Sequence, residues 1–213
     1  MKKILWLGAL ILAITVTACQ NDTKKATPKQ ETQSKTEIKT ERPAFDHKAY
    51  KMKGMIIAKN TFKVFKSKIQ SIAGKKGLSG VVGFCHDNAM KLTDSLGKIH
   101  NVVIKRTSHK LRNPENKPDI DDETALNEYL KLQAEHKPME PVVMKDTEGY
   151  VHFYAPIKLK KDCLKCHGTP GKEIPEPVYK LIKSKYPNDK ATGFKVGELR
   201  GIWDIKFLDM ADK

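Results

Sequence analysis

The residues with the clearest chemistry in this sequence form the segment Cys163-Leu164-Lys165-Cys166-His167. Two thiols separated by two residues and followed at once by an imidazole make the C-x-x-C-H pattern of c-type haem attachment. Thiols at this spacing add to the two vinyl groups of the porphyrin, and the next histidine is placed to bind the iron. The segment therefore predicts a covalent haem c, with thioethers at Cys163 and Cys166 and His167 as the proximal iron ligand.

Chance and two other chemistries compete with this interpretation. With 4 cysteines and 7 histidines in 213 residues, the pattern arises by accident in about two of a thousand such chains. A redox disulfide is expected in a βαβ setting, which the surrounding sequence lacks. A zinc site needs a second ligand pair at matching spacing, and none is found. The motif occurs once, so the prediction is a single haem.

The other axial position of the iron has several candidate ligands. Cys85 lies on the apolar face of a predicted helix, which points it toward the core, whereas His86 lies about 100° further around that helix. A buried core cysteine without a ligand role is the ordinary alternative. The residues alone leave Cys85 and the histidines as equal candidates. Besides His167, the histidines are at positions 47, 86, 100, 109, 136 and 152, and several methionines also remain.

The sequence also suggests roles for three further side chains. Arg106 and Arg112 are candidate contacts of the haem propionates, because a guanidinium binds a carboxylate bidentately. Surface or loop-fixing roles for both arginines stay open. His152 falls between two tyrosines on one strand and is expected to be structural.

The amino terminus has the features of an export signal. Lys2 and Lys3 precede 13 uncharged residues, 4–16, a run too short for a bilayer span of about 20 residues. Small residues then lead to Cys19, as in the bacterial lipobox, which implies cleavage before Cys19 and attachment of lipid to its thiol. An ordinary secretory signal is the alternative. Gln20 after the cysteine favours the outer membrane if the envelope is Gram-negative.

Composition and charge divide the remaining chain into a tether and one domain. Residues 19–43 follow the signal peptide 1–18 and hold almost no large apolar side chain, so we expect a lipidated cysteine and a disordered tether. Residues 44–213 are expected to form a single domain. The net charge of +15 lies mainly on that domain. Export makes nucleic acid an improbable partner and leaves an acidic redox protein or an envelope surface.

The elements that must position these side chains follow an α+β order. Helical periodicity covers 45–72 and 77–96, and further helices are predicted at 121–136 and 175–186. Strands are predicted at 102–106 and 199–208, the latter with a bulge near Gly201. A hairpin is predicted from 141–144 and 150–159 around a turn at 146–149. Helices followed by an antiparallel sheet indicate the α+β class.

Beyond the single motif, seven segments of the chain resemble the Tll-like haem-binding domain family, in the right order. They are residues 82–86, 104–108, 111–119, 153–157, 163–168, 191–194 and 197–201. The resemblance implies a PAS-like fold with one covalently bound haem c, His167 as proximal ligand and Cys85 as distal ligand. His86, beside Cys85, departs from the family pattern and is the alternative distal ligand.

The resulting functional prediction is an exported, lipid-anchored, single-haem protein that acts in electron transfer or in redox or gas sensing. A thiolate from Cys85 would favour ferric iron, and its release on reduction would open a site for a diatomic gas. A peroxidase-like haem enzyme and a zinc-binding envelope module are the alternatives. The sequence contains no second catalytic constellation, so no enzymatic activity is predicted. We expect an extracytoplasmic location in the cell envelope, with an unknown redox partner.

Overall fold

The computed structural model describes residues 45–209, which fall within one compact unit, Glu41–Lys213. Asp46 begins the first helix by accepting a hydrogen bond from the backbone N–H of Ala49, at 3.0 Å, which satisfies one of the free donors of a helix start. The predicted signal peptide (1–18), the lipid site Cys19 and the tether lie outside the described residues.

The first two helices differ from the sequence prediction in where they break. Helix α1 comprises His47–Asp87, 41 residues, and α2 comprises Ala89–His100. Gly77 adopts φ 64° inside α1, a conformation that favours glycine, and it produces a kink. The predicted break before residue 77 is therefore confirmed, but the predicted helix 77–96 is wrong as a unit, because its residues are divided between α1 and α2 at Asn88.

Four antiparallel strands form one sheet in the order β1-β4-β3-β2. The strands are β1 Val102–Thr107, β2 Val142–Lys145, β3 Val151–Lys158 and β4 Leu199–Phe207. The predicted β2–β3 hairpin is confirmed, since Asp146 accepts hydrogen bonds from the backbone N–H groups of Glu148 and Tyr150 at 2.9 Å each.

The predicted irregularity near Gly201 is also confirmed. Ile157 pairs with Gly201 and Lys158 pairs with Leu199, so Arg200 is the extra residue of a bulge. A side chain at position 201 would collide with the carbonyl oxygen of Thr107 on β1. Glycine is required there because the two backbones approach closely.

Three shorter helices complete the domain. They are α3 Ile120–Ala134, α4 Leu164–His167 and α5 Glu176–Lys185. Single 3-10 turns at Pro114–Asn116 and Lys161–Cys163 lie in the connections. A capping box of Asp119 and Asp122 begins α3, which reciprocally satisfies two backbone donors.

Alternating side chains of the strands divide the core between the two faces of the sheet. Phe153 and Ile205 pack with Phe65 of α1 on one face, whereas Tyr154 and Ile202 pack under α3 on the other. This period-two burial is expected for a sheet covered on both faces. The predicted α+β class, with helices preceding an antiparallel sheet, is confirmed.

Within residues 45–209, no helix is long and apolar enough to cross a membrane.

Candidate functional site

The C-x-x-C-H segment forms a compact turn of backbone after β3. A 3-10 turn, Lys161–Cys163, leads directly into α4, and α4 ends at His167. The Cys163 side chain packs against the small apolar cluster of Leu159, Ala191 and Phe194. Both thiols of the motif are free and partly buried, so both sulfur atoms are available for thioether formation.

His167 is held in one orientation and one tautomer. Its Nδ1 lies 2.8 Å from the carbonyl oxygen of Ala191. A carbonyl oxygen only accepts hydrogen bonds, so Nδ1 carries the proton and Nε2 keeps its lone pair. Burial lowers the pKa of His167 well below its ordinary value, and the charges of Arg200 and Arg112 lower it further. The side chain is therefore a neutral imidazole with a free Nε2, the form that ligates metals.

Arg112 ties the motif to the loop that precedes β4. Its Nη2 donates to the carbonyl oxygens of Cys166, at 2.7 Å, and Ala191, at 3.2 Å. Its Nε and Nη2 also donate to the two carboxylate oxygens of Asp189, each at 3.2 Å. This arrangement matches the loop-fixing alternative for Arg112. Contact with a propionate stays a prediction.

Cys85, on the last turn of α1, shares an electrostatic environment with the motif. The charge of Cys85 raises the pKa of the Cys166 thiol. The charges of Arg106 and Arg112 lower the pKa of the Cys85 thiol. Burial raises the pKa of the Cys85 thiol, and the two arginines oppose that rise. The sequence predicts that Cys85 faces the core, and its side chain is partly buried; its role as an iron ligand stays a prediction.

His86 has a different environment from its neighbour. It is exposed, its Nδ1 lies 2.6 Å from Oδ1 of Asp87, and its ring contacts Tyr186 edge-to-face at 5.3 Å. The Asp87 pairing leaves Nε2 as the nitrogen without a described partner. The choice between Cys85 and His86 as distal ligand stays open to experiment.

Arg106 is a half-buried cation with one buried, unsatisfied donor. Its guanidinium lies 4.2 Å from the ring centroid of Phe65 and 5.7 Å from that of Trp203. Its Nη2 reaches the hydroxyl of Thr93 at 3.5 Å, while its Nε is buried without a hydrogen-bond partner. A buried donor without a partner costs about 1–3 kcal/mol. The predicted propionate contact of Arg106 is untested, and this donor is suited to it.

Sequence reasoning missed a third arginine, Arg200, at the β4 bulge. Its Nη1 donates to the hydroxyl of Ser108 at 2.7 Å and to the carbonyl of Lys110 at 3.0 Å. Burial lowers the pKa of Arg200 to about 10, and the charge of Arg112 contributes to that shift. Two sequence signals included this side chain: the predicted bulge, whose extra residue is turned away from the regular alternation, and the family-like segment 197–201.

These residues fit a haem. The segment supplies two thiols and an imidazole with a free Nε2, and Cys85 offers a further thiol nearby. The charges of Arg106 and Arg112 both act on Arg200, and the positive charge of these three guanidiniums suits the two carboxylates of a porphyrin. Within the described range, no three His, Cys, Asp or Glu side chains are grouped to hold a metal ion.

His152 lies in a separate polar cluster between the sheet and α3. Its Nδ1 is 2.7 Å from Asp204, and its Nε2 is 3.2 Å from Asp146. Burial disfavours the charged imidazole, but the hydrogen bond and charge of Asp204 outweigh burial, so the pKa of His152 is raised. These contacts agree with the structural role that the sequence predicted.

Comparison with solved structures finds a similarity to a chain described as the cyanobacterial heme-protein Tll0287. The sequence identity is 23%, the TM-score is 0.48, and the match covers 70% of this chain and 92% of that chain. Comparison with curated proteins finds no match. The model of the Tll0287-like family, described as Tll0287, matches residues 13–207. The match spans most of the sequence and includes the C-x-x-C-H segment, and the chain therefore belongs to the Tll0287-like family.

Proposed function

We propose that this chain is a lipid-anchored, extracytoplasmic c-type haem protein that acts in electron transfer or in redox or gas sensing. The observation that carries the proposal is the state of His167. Its Nδ1 donates to Ala191 at 2.8 Å, so a neutral imidazole with a free Nε2 directly follows two free thiols. The family relationship supports the same conclusion, since the similar solved structure is described as a heme-protein.

Bound haem supplies a one-electron redox couple at this site. Cys163 and Cys166 hold the porphyrin edge, and His167 supplies the proximal nitrogen, kept in register by the Ala191 carbonyl. When a ligating histidine donates a hydrogen bond from the ring nitrogen that does not bind the metal, here Nδ1, the basicity of the ligating nitrogen increases. Arg112 fixes the backbone of Cys166 relative to that carbonyl, so the thioether and the imidazole are positioned by one clamp.

The distal ligand decides between a carrier and a sensor. We propose Cys85, because its thiol shares the electrostatic environment of Cys166 and is exposed to the charges of Arg106 and Arg112. These cations favour the thiolate, but burial outweighs them and raises the pKa of the free Cys85 thiol, so a bound iron would have to displace the thiol proton. A thiolate ligand stabilises the ferric state and lowers the reduction potential, whereas a ligand that is lost on reduction leaves a position for a diatomic gas.

A pyridine haemochrome assay with a reduced-minus-oxidised spectrum tests the central proposal on protein purified from the cell envelope. We expect one haem c per chain, and its loss in Cys163→Ala/Cys166→Ala. Wild-type protein without covalent haem, after coexpression with a c-type maturation system, would contradict the proposal.

Two further measurements test the finer parts. Carbon monoxide added to the reduced protein should shift the Soret band if the distal position opens on reduction, and an unshifted band identifies a carrier with two permanent ligands. Metabolic labelling with a fatty acid should mark wild-type protein and not Cys19→Ser. An unlabelled wild-type chain would remove the anchor while leaving the haem proposal intact.

A further inference from the structure

Helix α1 is positively charged along its exposed surface. Residues 47–86 contain nine lysines and no aspartate or glutamate, and all nine lysines are exposed. Carboxylates one turn away commonly neutralise lysines on a helix surface, and α1 has none along this length. The helix therefore carries a concentrated positive charge that no carboxylate between residues 47 and 86 offsets.

The same surface of α1 also exposes large apolar side chains. Met52 and Ile56, one turn apart, are 58% and 54% exposed. Together with Met55 they lie among three lysines in one shallow, open groove, which is lined by Lys48, Lys51, Met52, Met55, Ile56 and Lys59. These positions follow the i, i+3, i+4, i+7 spacing of a single helix face. The core-facing side chains of α1, including Ile57, Ala58 and Phe65, are buried in the domain core, so the groove is a second apolar surface.

We propose that this groove, from Lys48 to Lys59, binds the surface of a membrane that contains anionic phospholipids. Helices with lysines beside exposed apolar side chains lie in the membrane interface, where the charges meet phosphate groups and the apolar side chains enter the acyl boundary. An acidic protein would satisfy the lysines, but it would not account for Met52 and Ile56 exposed among them.

The position of α1 in the chain supports the same occupant. It is the first element of the described domain, and only residues 20–46 separate it from Cys19. If Cys19 is lipidated, α1 is therefore the element of the described domain that lies nearest the anchor along the chain. Binding of the groove to the membrane does not depend on lipidation, because an acyl anchor only raises the local concentration of the groove at the membrane.

Partition onto lipid vesicles tests the proposal in the full-length chain carrying Cys19→Ser, so that no acyl group contributes. The vesicles contain phosphatidylcholine alone or mixed with phosphatidylglycerol. Each lysine near an anionic surface contributes about a fivefold factor in affinity. We expect Lys48→Gln/Lys51→Gln/Lys59→Gln to weaken binding to anionic vesicles by at least tenfold. The matched control changes three exposed lysines outside α1, Lys131, Lys172 and Lys180, and should stay within twofold of the parent.

The apolar contribution is tested separately with Met52→Gln/Ile56→Gln. These side chains are exposed, so the substitutions should preserve the far-ultraviolet circular dichroism and the haem content while weakening binding to both kinds of vesicle by about tenfold. The control is Ile120→Gln on α3, where the side chain is 83% exposed. If α1 binds an acidic protein instead, both α1 variants will partition like their controls, and that result refutes the proposal. Failure of haem attachment or of fatty-acid labelling would leave this result unchanged.

Discussion

Replacing Arg112 with methionine should destabilise the domain and disturb the haem site together. Its side chain is 13% exposed, and that of its partner Asp189 is fully buried. Removing one member of a buried ion pair typically costs about 3–5 kcal/mol, because the remaining charge loses its partner without gaining water. The carbonyls of Cys166 and Ala191 lose a donor as well. We therefore expect the free energy of unfolding to fall by about 4 kcal/mol.

A double-mutant cycle separates this coupling from lost packing. Arg112→Met, Asp189→Asn and the double variant are unfolded with urea and followed by circular dichroism. Asp189→Asn removes the buried carboxylate that Arg112→Met leaves unpaired. The loss of stability in the double variant should therefore be smaller than the sum of the losses in the single variants, with a coupling of about 2–3 kcal/mol. The control cycle uses the exposed pair Lys180 and Glu176, 4.0 Å apart with side chains 77% and 57% exposed, where the coupling should stay below about 0.5 kcal/mol.

The same variants report on the site. Because Arg112 joins the Cys166 backbone to the carbonyl that orients His167, Arg112→Met should also lower the haem content measured by pyridine haemochrome. If the effects of Arg112→Met and Asp189→Asn on stability add, with a coupling as small as that of the exposed control pair, Arg112 does not hold the motif and the loop together as proposed. Full stability with reduced haem content would instead assign Arg112 to the haem itself.

Three other predictions follow from the described contacts. Gly201→Ala should lower the free energy of unfolding by about 1–3 kcal/mol, because a Cβ there collides with the backbone of β1. The control Gly74→Ala, which has open space around it in α1, should raise the free energy of unfolding by about 0.5–1 kcal/mol. Equal urea midpoints for the two variants would contradict the close contact at Gly201. Burial is the main reason that the pKa of Asp122 is raised from 3.8 to about 6. The folded state thus binds this proton more tightly, and wild-type stability should lose this contribution as the pH rises through that interval. Asp122→Asn should remove that component of the pH slope, and an unchanged slope in urea titrations would oppose it. Cys85→Ala should change the ferric Soret and charge-transfer bands while His86→Ala leaves them unaltered, and the reverse pattern would make His86 the distal ligand.

Local sequence rules predicted much of the sheet because they act over a few residues. The β2–β3 hairpin follows from a turn sequence at 146–149 between two apolar runs, and β1 and β4 follow from β-branched and aromatic residues. The break in the helix at Gly77 was predicted correctly, whereas the break at Asn88 between α1 and α2 was not, because the apolar periodicity continues across it. A single glycine can kink a helix whose flanking turns remain packed on the sheet.

For the candidate site, the sequence by itself determined the reactive groups, since two thiols and an imidazole at fixed spacing need no long-range information. It identified Cys163, Cys166 and His167 and raised Cys85 as a candidate ligand. The tertiary structure alone decided the tautomer of His167, the partner of Arg112 and the presence of Arg200 in the same charged region. These depend on the carbonyl of Ala191, the carboxylate of Asp189 and the hydroxyl of Ser108, which lie 24, 77 and 92 residues away along the chain from His167, Arg112 and Arg200. Such contacts exist only after the loop before β4 has packed against the motif, so no local pattern records them.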